Sequence, residues 1–177
     1  MNERRIVLTG FMGAGKTTLA RGLAASLHRQ WQDLDDVIAM QTGRLVPDII
    51  RLDGEARFRE LETKSLRDSL ENGTAHILAL GGGAWTLERN RLLVQQYNCL
   101  SVWLDAPFAL CWQRITQGGD GRPLAHGGYA ATNRLYESRV VLYAQAELRL
   151  AVSAETSISQ LVESVGSVHS VGSVWGV

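Results

Sequence analysis

The chain holds 177 residues, 45% apolar and 20% charged, a composition that suits one soluble globular domain with a full core. Eighteen Lys and Arg balance eighteen Asp and Glu, which argues against a general nucleic-acid binder and its basic footprint. No apolar stretch approaches the ~20 residues needed to span a membrane, and no signal-peptide pattern precedes the first strand, so the cytoplasm is the expected location.

Ile6-Val7-Leu8-Thr9 is a short apolar run followed by a Gly-rich turn, residues 10–15. Leu19, Leu23 and Leu27 then repeat every four residues beside Ala20 and Ala24, one face of an amphipathic helix. Trp31-Gln32-Asp33-Leu34 reads as a second strand ending in acids. Residues 35–71 are mostly helical, broken near Thr42-Gly43 and at Pro47, with Phe58, Leu61, Leu66 and Leu70 as the core stripe. Residues 76–80 and 100–104 read as buried strands, the first running into Gly81-Gly82-Gly83 and the second closed by Asp105-Ala106-Pro107. A helix to about Thr116 leads into a Gly- and Pro-bearing loop over 116–128. A helix over 130–145, a fifth strand over 148–152 and a last helix through Val165 follow. Valines at 165, 168, 171, 174 and 177 recur every third position among Gly and Ser, and residues 166–177 are read as a disordered tail.

Continuous apolar strands separated by helices imply a parallel sheet covered on both faces. The expected fold is a three-layer α/β/α P-loop fold with a five-stranded parallel sheet, a single domain over residues 1–165. Cys99 and Cys111 fit neither a redox pair nor a zinc site and are expected as buried free thiols.

Gly10-Phe11-Met12-Gly13-Ala14-Gly15-Lys16-Thr17 fits G-x-x-x-x-G-K-[ST] at every fixed position. The turn aims backbone N–H groups at phosphate oxygens, and the following helix directs its positive end at the same anion. Lys16 supplies a point charge to the β- and γ-phosphates, and the Thr17 hydroxyl suits Mg²⁺. Gly13, Ala14, Gly15, Lys16, Thr17 and Thr18 are thus the candidate ATP contacts. A GTPase would carry a guanine-reading N/T-K-x-D motif; Lys64, the other lysine, stands in Thr63-Lys64-Ser65-Leu66. A small kinase remains, and such an enzyme needs a lid that keeps water from the phosphate. Residues 116–128 are the expected mobile lid. For the metal-binding acid the residues alone favour Asp105, which ends the apolar fourth strand, over Asp33 after the second.

An ordered set of motifs goes further: Asp33-Leu34-Asp35, Gly54-Glu55 with Phe58-Arg59-Glu60, Gly81-Gly82-Gly83, Arg122-Pro123-Leu124, and Arg139 with Leu142-Tyr143. With these in order, the chain resembles the shikimate kinases from about residue 4 to 165. The resemblance implies transfer of the γ-phosphate of ATP to the 3-hydroxyl of shikimate, on the route to aromatic amino acids, by a monomer whose partner is a small molecule. It implies that Arg59 and Arg139 grip the acceptor carboxylate and Asp35 accepts its hydroxyl hydrogen bonds. Gly81, Gly82 and Gly83 then approach the acceptor with their backbone, across a helical segment of about 34–62. Arg122 becomes the lid arginine on the moving phosphoryl group, with Lys16 and Asp33 as its catalytic companions. It favours Asp33 over Asp105 for Mg²⁺, with Thr17. Glu55 and Glu60 are read as structural partners of nearby arginines, and Arg114 as a candidate neighbour of adenine.

Several residues depart from the family pattern. Leu80 stands where many relatives carry a hydroxyl, Val140-Val141 where a Pro is common, and Ser153-Ala154-Glu155-Thr156 offers no Arg or Pro for adenine. A kinase for another small hydroxy acid and a silent nucleotide-binding module are the rivals. Intact Lys16, Thr17, Asp33 and Arg122 argue against silence. Trp31 and Trp85 are expected to flank the acceptor site.

Overall fold

In the computed structural model, residues 4–118 and 127–171 are described, with side chains to 169. Five strands form one parallel sheet: β1 (Ile6–Thr9), β2 (Trp31–Asp33), β3 (Ile77–Ala79), β4 (Leu100–Asp105) and β5 (Leu148–Ala151). Their order is β2-β3-β1-β4-β5. Ile6 pairs with Ile77 on one side and Leu100 on the other. Every residue of β1 and β3 is buried, as are the first five of β4. Successive side chains point to opposite faces, so both faces are covered, as the apolar runs predict. The C-terminal ends of β1, β2 and β3 lie side by side, where the order switches, and there an open parallel sheet gathers its ligands.

The helices are α1 (Lys16–Leu27), α2 (Leu34–Thr42), α3 (Val46–Asp53), α4 (Glu55–Asn72), α5 (Glu88–Gln96), α6 (Phe108–Gln117), α7 (Gly128–Tyr143) and α8 (Ile158–Val171), with a 3₁₀ turn over Ala84–Thr86. α1 buries Leu19, Ala20 and Leu23 and ends where His28 turns left-handed. α4 buries Phe58, Leu66 and Leu70. Arg5 caps its far end by donating to the carbonyls of Leu70 and Gly73, groups a helix C-terminus leaves unpaired. Cys99 and Cys111 are buried and unbridged, and burial pushes both thiols up to about 11.

Three sequence expectations change. Pro47 does not break a helix; it stands in the first turn of α3, where its missing N–H costs nothing. The break falls at Gly54, with φ of 86°. The helix α5 was not foreseen. And the tail does not begin at 166, because α8 runs on to Val171. Ile158, Leu161, Val162 and Val165 form an i, i+3, i+4, i+7 stripe against α1, and the valine spacing of three continues one edge of it. His169 Nε2 then hydrogen-bonds the Arg4 carbonyl at 2.7 Å. Residues 172–177 lie outside the described residues.

Candidate active site

The phosphate loop leaves β1 at Gly10 and enters α1 at Lys16. Gly13 is required there: φ is +78°, and a β-carbon would lie 2.7 Å from the Cys111 carbonyl oxygen of α6. Arg114, also on α6, donates from Nη1 to the carbonyls of Gly13 and Ala14 at 3.1 and 3.3 Å. It braces the loop from outside. Lys16 Nζ donates to the carbonyls of Gly10 and Phe11 at 2.9 and 3.0 Å, folded over the turn it would serve.

The two candidate metal acids have different partners. Thr17 Oγ1 donates to Asp33 Oδ2 at 3.0 Å. The other oxygen, Oδ1, accepts the Asp35 N–H at 3.1 Å, so Asp33 also caps α2. Asp105 instead takes Arg149 Nε at 2.8 Å, on the edge strand β5. Thr17 and Asp33 thus present two hard oxygen donors side by side, the chemistry that Mg²⁺ accepts when phosphates and water complete its shell.

A second cluster faces the loop across the same cavity, of about 790 Å³, which Thr17, Thr18, Asp33, Asp35, Arg59 and Arg139 help line. On α4, Arg59 donates to Glu62 Oε2 at 2.8 Å and to Glu55 Oε1 at 3.1 Å. Arg139 comes from α7 and is 8% exposed. Two bonds hold α7 against the glycine turn: Tyr143 O–H donates to the Gly82 carbonyl at 2.6 Å, and Trp85 Nε1–H to the Leu142 carbonyl at 3.0 Å. Arg139 Nη1 therefore lies above Gly82, 3.5 Å from where a β-carbon would stand. At Gly81 a β-carbon would meet Asp35 Oδ1 at 2.8 Å and Glu62 Oε1 at 3.3 Å. The glycines are there because two carboxyls and two guanidiniums converge on their backbone.

Three buried atoms in this cluster have no hydrogen-bond partner among the described residues: Asp35 Oδ1, Glu62 Oε1 and Arg139 Nη1. Buried polar groups are nearly always paired, and one orphaned donor beside two orphaned acceptors suits a ligand carrying both an anion and hydroxyls. Burial, then Asp33, pushes Asp35 up to about 6. Burial likewise raises Glu62 to about 7, against the pull of Arg59.

With that geometry in view, comparison with known proteins is decisive. The family model described as shikimate kinase matches residues 12–169. The chain belongs to the shikimate kinase family. A shikimate kinase from Ruegeria pomeroyi is 38% identical over 165 residues, 92% of this chain and 83% of that one. One from a Synechococcus strain is 39% identical over 162 residues, 90% and 84% of the two chains. Among solved structures, the shikimate kinase of Acinetobacter baumannii in complex with shikimate aligns with a TM-score of 0.83 and 32% identity, covering 92% of this chain and 90% of that one. A sugar kinase from Janibacter at 20% identity and a TM-score of 0.57 shares the fold.

Against the residues expected from sequence, this family member brings together Gly13, Ala14, Gly15, Lys16, Thr17, Thr18, Asp33, Asp35, Arg59, Gly81, Gly82, Gly83, Arg114 and Arg139. Arg122 and most of the expected lid lie outside the described residues. Glu55 and Glu60 pair with Arg59 and Arg57, as expected of structural partners. Trp31 and Trp85 do not line the cavity: Trp31 lies under Arg21, and Trp85 is buried. Sequence reasoning passed over Glu62. It falls four residues after Phe58 and four before Leu66, a charge on the core stripe of α4, and that was the available signal.

Proposed function

We propose that this chain transfers the γ-phosphate of ATP to the 3-hydroxyl of shikimate. The observation that carries the reading is the shared cavity: a phosphate loop on one wall, and on the other two guanidiniums and two carboxyls with three unpartnered atoms. Shikimate carries one carboxylate and three hydroxyls, so it supplies an acceptor for Arg139 Nη1 and a donor for Asp35 Oδ1. Arg59 and Arg139 grip the carboxylate, where a planar fork suits a planar anion. Asp35 accepts from the ring hydroxyls and fixes which oxygen faces the donor phosphate.

On the nucleotide side, the loop N–H groups and the start of α1 hold the phosphates. Lys16 leaves its carbonyl contacts for the β- and γ-phosphates. Thr17 and Asp33 would hold Mg²⁺, which when bound would neutralise charge on those phosphates. The hydroxyl oxygen attacks the γ-phosphorus and its proton passes to solvent, while the bond to the β–γ bridging oxygen breaks and ADP departs. Arg122, on the resemblance alone, supplies a further positive charge to the moving group. Catalysis here is positioning and charge stabilisation, with no covalent step on the protein.

The test is ADP release with Mg-ATP, with and without shikimate, beside a Lys16→Ala control. Shikimate-dependent turnover lost in the control supports the reading. Turnover no higher with shikimate than without refutes it.

A further inference from the structure

Glu62 has no exposed surface, and a carboxylate in such a place is costly unless paired. Oε2 is paired with Arg59; Oε1 is not. The charged groups around it come from three helices: Arg59 on its own α4, Asp35 from α2 and Arg139 from α7. Glu55 shares Arg59 from the solvent side. Burial is the main cause that lifts Glu62 to about 7, Asp35 adds to it, and the two arginines oppose it.

Charge balance decides what an anionic acceptor does here. Ionised Glu62 and Asp35 already match Arg59 and Arg139. An acceptor carboxylate at the arginines would set a third anion against the same two cations, where burial strengthens every repulsion. A proton on Glu62 restores the balance. It also turns Oε1 from an orphaned acceptor into a donor at the cavity wall.

We propose that Glu62 is a proton-linked positioning residue: seating the acceptor's carboxylate on Arg59 and Arg139 is coupled to uptake of one proton from solvent by Glu62. The inference rests on the acceptor reading above. Neutral Glu62 still pins Arg59 through Oε2, so the guanidinium keeps its place while its charge becomes available to the acceptor. Since bound acceptor favours the protonated form, acceptor affinity falls as pH rises through the titration of the free protein, by up to ~10-fold per pH unit.

Calorimetric titration of the full chain with shikimate, without nucleotide, tests this. It is run from about pH 6 to about pH 8.5, around the titration range of Glu62, in phosphate and in Tris, whose ionisation heats differ. The expected result is net proton uptake per shikimate bound above neutral pH, with a Kd that weakens as pH rises. Glu62→Gln, which mimics the neutral form, should show no uptake above neutral pH and a Kd that no longer weakens there, where Asp35, raised only to about 6, is already ionised. Parent binding with no proton exchange overturns the proposal, and so does a Glu62→Gln variant that keeps the parent's uptake and pH profile. No binding of shikimate by the parent at any pH overturns the acceptor reading as well.

Discussion

Replacing Arg59 with Ala tests the acceptor half of the site. The residue donates at 2.8 Å to a fully buried Glu62 and at 3.1 Å to Glu55, and its side chain is only 16% exposed. Its guanidinium is therefore held in one place before any ligand arrives, so little ordering cost offsets its contact with a carboxylate. A charge-assisted hydrogen bond contributes ~1.5–3 kcal/mol. The KM for shikimate should then rise roughly 10- to 150-fold, since 1.4 kcal/mol is about tenfold. The KM for ATP should move less than about threefold, because Lys16 and Arg114 are bonded to the phosphate-loop carbonyls on the other wall of the cavity. The variant should still fold at neutral pH, since Glu62 deprived of its cation takes up a proton rather than remain charged. Arg57→Ala is the matched control: two residues away, exposed and ion-paired with Glu60, it contributes ~0–1 kcal/mol and should leave both constants unchanged. Initial rates with one substrate varied at saturation of the other give the answer. Equal rises in both constants would refute the assignment.

Three further outcomes follow from the same geometry. Asp33→Asn should lower kcat by roughly 100-fold or more and raise the Mg²⁺ requirement, whereas Asp105→Asn should stay within about threefold, because its partner is Arg149 on the sheet edge; Mg²⁺ titrations of both variants check this. Gly81→Ala would press a methyl group 2.8 Å from Asp35 Oδ1 and should raise the shikimate KM roughly 10- to 100-fold, with ATP binding unchanged in a nucleotide displacement assay. Glu62 binds its proton more tightly folded than unfolded. Its contribution to stability is therefore full below about 4.5 and lost as pH climbs through about 7, so the urea midpoint should fall over that range, and fall less in Glu62→Gln.

The nucleotide half of this site was legible because its chemistry is local. A phosphate loop needs a strand, a glycine turn, a lysine and a helix in that order, and here they are contiguous from Ile6 to Leu27. The acceptor half was legible only through the family resemblance, since Asp35, Arg59, Gly81 and Arg139 come from four separated segments. Glu62 escaped because Glu55 and Glu60 flank Arg59 in the same motif, and only the packing of α4 shows that they are exposed while Glu62 is buried. Helix α5 escaped because its apolar stripe is short. Leu93 and Val94 are buried, but the position one turn earlier is Asn90, fully buried and donating to the Ala84 carbonyl at 2.9 Å, while Leu92 is 55% exposed, which blurs the apolar period. The end of α8 was misread because its valines alone look like a period of three; Ile158 and Leu161 complete the helical stripe. The resemblance alone favoured Asp33 over Asp105; the Thr17 bond to Asp33 and the Arg149 bond to Asp105 agree with it, and no local pattern announces either.

The most direct measurement is a competition. The protein is given Mg-ATP with shikimate, quinate, gluconate and a nucleoside monophosphate together, and the phosphorylated product is identified by mass and its site by phosphorus–proton NMR. The account predicts shikimate phosphorylated at the 3-hydroxyl as the dominant product, absent with Lys16→Ala. A dominant phosphorylated product from any of the other three, or phosphate on another shikimate hydroxyl, would contradict it.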